Sequence, residues 1–189
     1  YDDIRIVAYT QVKKTSIKKT PDIAELGISG TVTEKLDFVK THFNNDLSIK
    51  DIIKSDIVDI RGVTTGKGYQ GPTKRFGLAL RQHKAEKGVR FHGSGGAWHP
   101  SRVEFTQPMA GQMGYFTRVL YNLKVIHIGK ADDIFNKDSE YKHFGKIKTD
   151  YIVVRGSVQG PAKRQLLITY PLRATKEQTK KKYEFLELR

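Results

Sequence analysis

The chain has 189 residues, enough for one domain or for one domain carrying a large extension, and 38% of them are hydrophobic, below the roughly 45–50% usual in a compact globule. A net charge of +14 points to a polyanionic partner, nucleic acid or an anionic membrane surface. The absence of cysteine excludes disulfide staples and Cys-based zinc sites, and no apolar run approaches the roughly 18 residues of a membrane span.

In chain order, Ile4 to Thr10 reads as a strand rich in β-branched and aromatic residues. Lys13, Lys14, Lys18 and Lys19 follow in a connection ended by Pro21. Thr31 and Glu34 have the spacing of a helix capping box, and Val32, Leu36, Val39 and Phe43 then share one helical face. Asn44-Asn45 is expected to stop that helix, and Ser48 to cap a second one carrying Ile49, Ile52 and Ile53. Ile57 to Thr64 is a strand, strand character resumes from Tyr121 to Ile128, and residues 131–146 are polar loop. Further strands are expected at Tyr151–Val158 and Gln165–Tyr170, then a flexible basic tail over 173–182 and an edge strand from Tyr183 to Leu188. Short strands with one helical insertion (31–53) close most economically as a small barrel, built from residues 1–65 and 119–189.

Between the strands at Ile57 and Tyr121 lies a run dense in glycine, Lys and Arg. From Arg61 to Lys130 there are 12 Lys/Arg against Glu86 and Glu104, whereas residues 1–60 hold 9 basic and 10 acidic residues. The charge is therefore concentrated. Glycines this close together in so polar a segment prevent burial of enough apolar surface to offset backbone entropy. Residues 66–118 are expected to be an extended basic loop ordered from outside, with phosphates the obvious agent because glycine lets backbone N–H groups approach them closely. The loop's turn Gln70-Gly71-Pro72-Thr73-Lys74-Arg75 recurs as Gln159-Gly160-Pro161-Ala162-Lys163-Arg164, identical at five of six positions. Gly-Pro fixes a turn and aims the two cations that follow; two ordinary basic turns are the alternative. Trp98, the single tryptophan, sits among Gly93, Gly95, Gly96 and Pro100 without apolar neighbours, as a base-stacking or wedge residue would. Tyr69, Phe76, Phe91 and Tyr115 either stack similarly or pack on the loop itself.

Enzyme readings fare worse. Gly66-Lys67-Gly68 is no P-loop, and His92-Gly93-Ser94-Gly95-Gly96 has no nucleophile elbow to serve. His83, His92 and His99 match no zinc spacing, and the stretch offers two carboxylates for acid–base work. No catalytic residue, metal site, cofactor or small-molecule substrate is expected. An RNA-modifying or nucleotide-hydrolysing enzyme, and a regulatory nucleic-acid binder, are the competing classes.

The run Asp59 to Arg75, the segment Gly96-Ala97-Trp98-His99-Pro100-Ser101-Arg102-Val103, Ala110 to Tyr115 and Gly156 to Arg164 together resemble, in order and over essentially the whole chain, the family of universal large-subunit ribosomal protein number three, in its archaeal and eukaryotic branch and on the archaeal side. Glu86, within Ala85 to Val89, departs from the more basic eukaryotic pattern. The resemblance implies a mainly β fold: a small closed β-barrel of the translation-protein type with a long rRNA-penetrating extension. It also implies a structural, non-catalytic place in the large subunit of the cytoplasmic ribosome, near the 3′ end of the large rRNA, with an early assembly role. The extension would point toward the peptidyl transferase centre, with Trp98 at its tip. Large-subunit rRNA and neighbouring large-subunit proteins are the expected partners, with no membrane. The residues expected to touch rRNA are Lys67, Tyr69, Gln70, Lys74, Arg75, Arg81, Lys84, Lys87, Arg90, Trp98, His99, Arg102, Gln112, Tyr115 and Arg118, with Lys163 and Arg164 at the second turn. Family members are longer and the chain opens on Tyr1 rather than Met, so it is expected to be part of a longer protein whose N-terminal arm and early barrel strands precede Tyr1.

Overall fold

The computed structural model describes residues 3–43, 45–130 and 140–186; Asn44, most of the expected 131–146 loop and the last residues of the expected edge strand lie outside these. Elements run β1 (Arg5–Tyr9), α1 (Val12–Thr15), β2 (Ile23–Gly27), α2 (Val32–His42), α3 (Ile49–Ile52), β3 (Ile57–Val63), β4 (Tyr69–Gln70), α4 (Pro72–Phe76), β5 (Gly111–Gln112), β6 (Thr117–Gly129), β7 (Tyr151–Val154), β8 (Leu166–Thr169) and α5 (Lys176–Lys180). They fall into two units, Tyr1–Gly62 with Val119–Arg189, and Val63–Arg118.

In the first unit the chief sheet has the order β7-β6-β3-β8. It is a curled half-barrel, and among the described residues no strand pair joins its edges, β7 and β8. The sheet is built around β3, where Ile57, Val58, Asp59 and Ile60 are consecutively buried. Such a run marks a strand covered on both faces. The apolar members supply burial, while Asp59, 1% exposed, supplies connectivity. Its Oδ1 accepts the Asn122 backbone N–H at 2.8 Å and its Oδ2 that of Leu172 at 3.0 Å. One carboxylate thus links the central strand to β6 and to the segment leaving β8. Lys124 on β6 is also buried and meets Asp56 at 3.2 Å.

A second, two-stranded sheet pairs β1 with β2, antiparallel from Arg5↔Gly27 to Tyr9↔Ile23. The strand at Ile23 was not expected, because five residues ending in glycine carry little pattern. The capping box at α2 forms as expected: Thr31 Oγ1 accepts from the Glu34 N–H, and Glu34 accepts the Thr31 N–H at 2.8 Å. Phe43 departs from the expected face, since the helix ends at His42 and leaves Phe43 exposed. Ser48 precedes α3 without capping it, its hydroxyl donating instead to Asp150 at 2.7 Å. The tail over 173–182 contains α5, and 183–186 form no strand. Rings anchor this end instead: Phe185 stacks on His127 at 4.6 Å, and Arg155 lies over Tyr183 at 5.1 Å.

Asp59→Ala is expected to destabilise the first unit by about 2 kcal/mol in urea unfolding, because two backbone N–H groups lose their acceptor. The Glu34 carboxyl is held below its ordinary 4.5 by its hydrogen bonds to Thr31, backbone first. A depressed carboxyl stabilises fully above its ordinary value and loses that contribution as pH falls through the depressed one. Amide protection at the start of α2 should therefore fall below about pH 4.5, and Glu34→Gln should reduce that pH dependence to what the Asp3–Lys35 pair leaves.

Candidate nucleic-acid interface

Nine Lys/Arg, Glu86 and Glu104 make up the formal charge of residues 63–118. Gly114 is the only buried residue of this unit. With no apolar interior, its order rests on backbone pairing, and that pairing is concentrated at one end. Thr64 N–H donates to the Phe116 carbonyl at 3.0 Å, while Phe116 N–H donates to Thr64 Oγ1 at 3.2 Å. Lys67 N–H reaches the Met113 carbonyl at 2.8 Å, Met113 N–H the Gly68 carbonyl at 2.9 Å, and β4 pairs with β5 as Tyr69↔Gln112 and Gln70↔Gly111. Two glycines allow the approach: a Cβ at Gly114 would overlap the Thr65 carbonyl oxygen, and one at Gly66 the Tyr115 ring. Gly114 also has φ +82°, a conformation glycine adopts without penalty. These segments form a neck.

Around the neck the structure gathers Lys67, Tyr69, Gln70, Lys74, Arg75, Gln112, Tyr115 and Arg118. Lys67, Lys74 and Tyr69 are exposed, Tyr69 at 77%. The Gln70 and Gln112 side-chain amides donate inward, to the Lys67 carbonyl at 2.6 Å and the Met113 carbonyl at 2.9 Å. Arg118 lies over the Phe116 ring at 5.2 Å. Beyond the neck, residues 77–108 contain no helix or strand and carry Arg81, Lys84, Lys87, Arg90, Trp98, His99 and Arg102, all exposed, Trp98 at 87%. Arg81 lies 5.0 Å from the Phe91 ring centroid, and His92 stacks on that ring at 5.3 Å. Among the described residues no three His, Asp or Glu side chains group as a metal site, and no helix is long and apolar enough to cross a membrane.

The repeated turn takes two shapes. Gly71 and Pro72 begin helix α4, with Pro72 in its first turn and Arg75 N–H bonded to the Gly71 carbonyl at 3.0 Å. This corrects the expected turn, for proline is well placed where a helix's first N–H groups lack partners. In the first unit Gly160 takes φ +96° and Arg164 N–H bonds to the Pro161 carbonyl at 3.2 Å, a true turn that leaves Lys163 exposed and Arg164 half-buried. The leading glutamines do act alike, Gln159 donating to the Ile60 carbonyl at 3.1 Å as Gln70 does to that of Lys67. Sequence reading overlooked Asp59 and Thr64 as connectors; the one legible trace was an acid inside the apolar run Ile57 to Ile60.

A mainly β protein that carries a separate cationic unit without a core is a class whose surface suits a polyanion. The model of the family described as Ribosomal protein L3 matches residues 2–188. The chain is 40% identical over 177 residues to the large ribosomal subunit protein uL3 of Methanocaldococcus jannaschii, covering 91% of the chain and 53% of that protein. It is 40% identical over 181 residues to uL3 of Nanoarchaeum equitans (95% and 56%), and 36% identical over 181 residues to uL3 of the eukaryote Tetrahymena thermophila (87% and 46%). The chain belongs to the ribosomal protein L3 family, in its archaeal and eukaryotic branch, a family of structural ribosomal proteins rather than enzymes. It spans about half the length of these relatives.

Gly114→Ala is expected to open the neck, raising amide exchange at Lys67 and Met113 by at least about tenfold, the equivalent of 1.4 kcal/mol, while β3 exchange stays unchanged.

Proposed function

We propose that this chain is an rRNA-binding structural constituent of the large ribosomal subunit, with Val63–Arg118 as the part that enters rRNA. The observation that carries the proposal is that this unit joins nine cations to a single buried residue, a glycine. A surface of that kind is stabilised when phosphates neutralise it and releases counterions as they do so. Membership in the ribosomal protein L3 family supports the same partner and a location on the cytoplasmic ribosome.

Within this reading the half-barrel belongs to a closed barrel of the translation-protein type, and α2 and α3 are its helical insertion. Residues 66–118 are an extension directed toward the peptidyl transferase centre, and neighbouring large-subunit proteins meet the barrel. Binding early in assembly would order rRNA helices around the extension. Lys67, Lys74, Arg81, Lys84, Lys87, Arg90, Arg102 and Arg118 supply phosphate contacts, Lys163 and Arg164 add a site on the first unit, and Trp98 and Tyr69 offer exposed rings for unpaired bases.

Residues 77–108 of the purified chain should be cut by trypsin within minutes and protected when large-subunit rRNA is bound. Equal resistance with and without rRNA would overturn folding on binding. In ribosomes, Trp98→Ala should slow peptidyl transfer or tRNA accommodation while subunit content stays normal; unchanged translation would remove Trp98 from the functional tip.

A further inference from the structure

Arg75 differs from the cations around it. Its Nε donates to the Gln112 carbonyl at 3.1 Å and its Nη1 to the Met109 carbonyl at 3.0 Å. These are backbone acceptors 37 and 34 residues away in sequence. The guanidinium carbon also lies 5.1 Å from the centroid of the Phe76 ring. The returning chain accommodates it closely: a Cβ built on Gly111 would stand 3.2 Å from both Cζ and Nη1 of Arg75. Lys74 precedes it on α4, where one residue is a rotation of about 100°, and remains exposed. The helix therefore sends two adjacent cations in different directions.

The geometry points to Arg75 as a positioning residue for RNA binding, a clamp that holds Met109–Gln112 against α4 and sets the register of the neck, with Lys74 the member of the pair left to meet phosphate. A planar fork can bridge two carbonyls at once, whereas a lysine ammonium on the same backbone offers one compact donor group and no rigid fork. The clamp requires geometry and not merely charge. This assignment rests on the RNA-binding proposal for what is positioned, while the clamp itself is a property of the free chain.

Two arms separate the clamp from a phosphate contact. In the free chain, Arg75→Lys and Arg75→Gln should both speed amide exchange at Lys67 and Met113 by tenfold or more, because the lysine keeps the charge without restoring the fork. Wild-type exchange in Arg75→Lys would overturn the clamp. With large-subunit rRNA, Lys74→Gln should reduce the slope of log K against log salt by about 0.7–0.9, whereas Arg75→Gln should weaken binding severalfold at an unchanged slope. A slope loss of that size in Arg75→Gln with normal exchange would make Arg75 an ordinary phosphate contact and overturn the inference. If the wild-type chain does not bind rRNA at all, the functional proposal fails and the exchange arm alone decides the clamp.

Discussion

Residues 63–118 have to be held in place without an interior. Nine positive charges repel one another across a unit whose only buried residue is Gly114, so hydrophobic burial does not supply its order. Backbone hydrogen bonds remain, and they cluster where 64–70 meets 111–116. Gly66 and Gly114 make the close approach possible, and the Arg75 guanidinium adds a side-chain link to the same strand pair. What lies beyond the neck has turns, a few stacked rings and exposed cations. That division fits a unit with a base that forms by itself and an outer part completed by its partner.

The first unit solves a different problem. Its sheet has one strand buried along consecutive residues, and the acid within that strand is used as a connector rather than tolerated as a defect. Burying a carboxylate is costly unless it is hydrogen-bonded, and Asp59 meets that condition by accepting from two separate segments. The residues that lead into the basic unit are therefore among the most constrained in the chain.

Much of this was legible from the residues. Alternation and β-branching located β1, β3, β6, β7 and β8, and the Thr31–Glu34 spacing located α2. The misses have physical reasons. Ser48 has the residue type of a cap, but Asp150, 102 positions away, takes its hydroxyl. Gly71-Pro72 is compatible with a turn and with a helix start, and the two copies of the motif realise one each. Arg75 and Lys74 are indistinguishable by charge, and a contact with Met109 and Gln112 separates them. The neck itself depends on pairs some 41 to 52 residues apart, which no local pattern reports. Family resemblance, rather than charge, is the ground for proposing rRNA as the polyanion.

The most direct measurement is the salt dependence of binding to large-subunit rRNA, comparing the chain with a variant in which residues 77–108 are replaced by a Gly/Ser linker. That replacement removes Arg81, Lys84, Lys87, Arg90 and Arg102 and leaves the neck in place. If these cations lie on phosphates, the slope of log K against log salt should become less steep by about 3.5–4.5. An unchanged slope would contradict the account, because it would mean that the exposed cations of this unit do not meet the RNA.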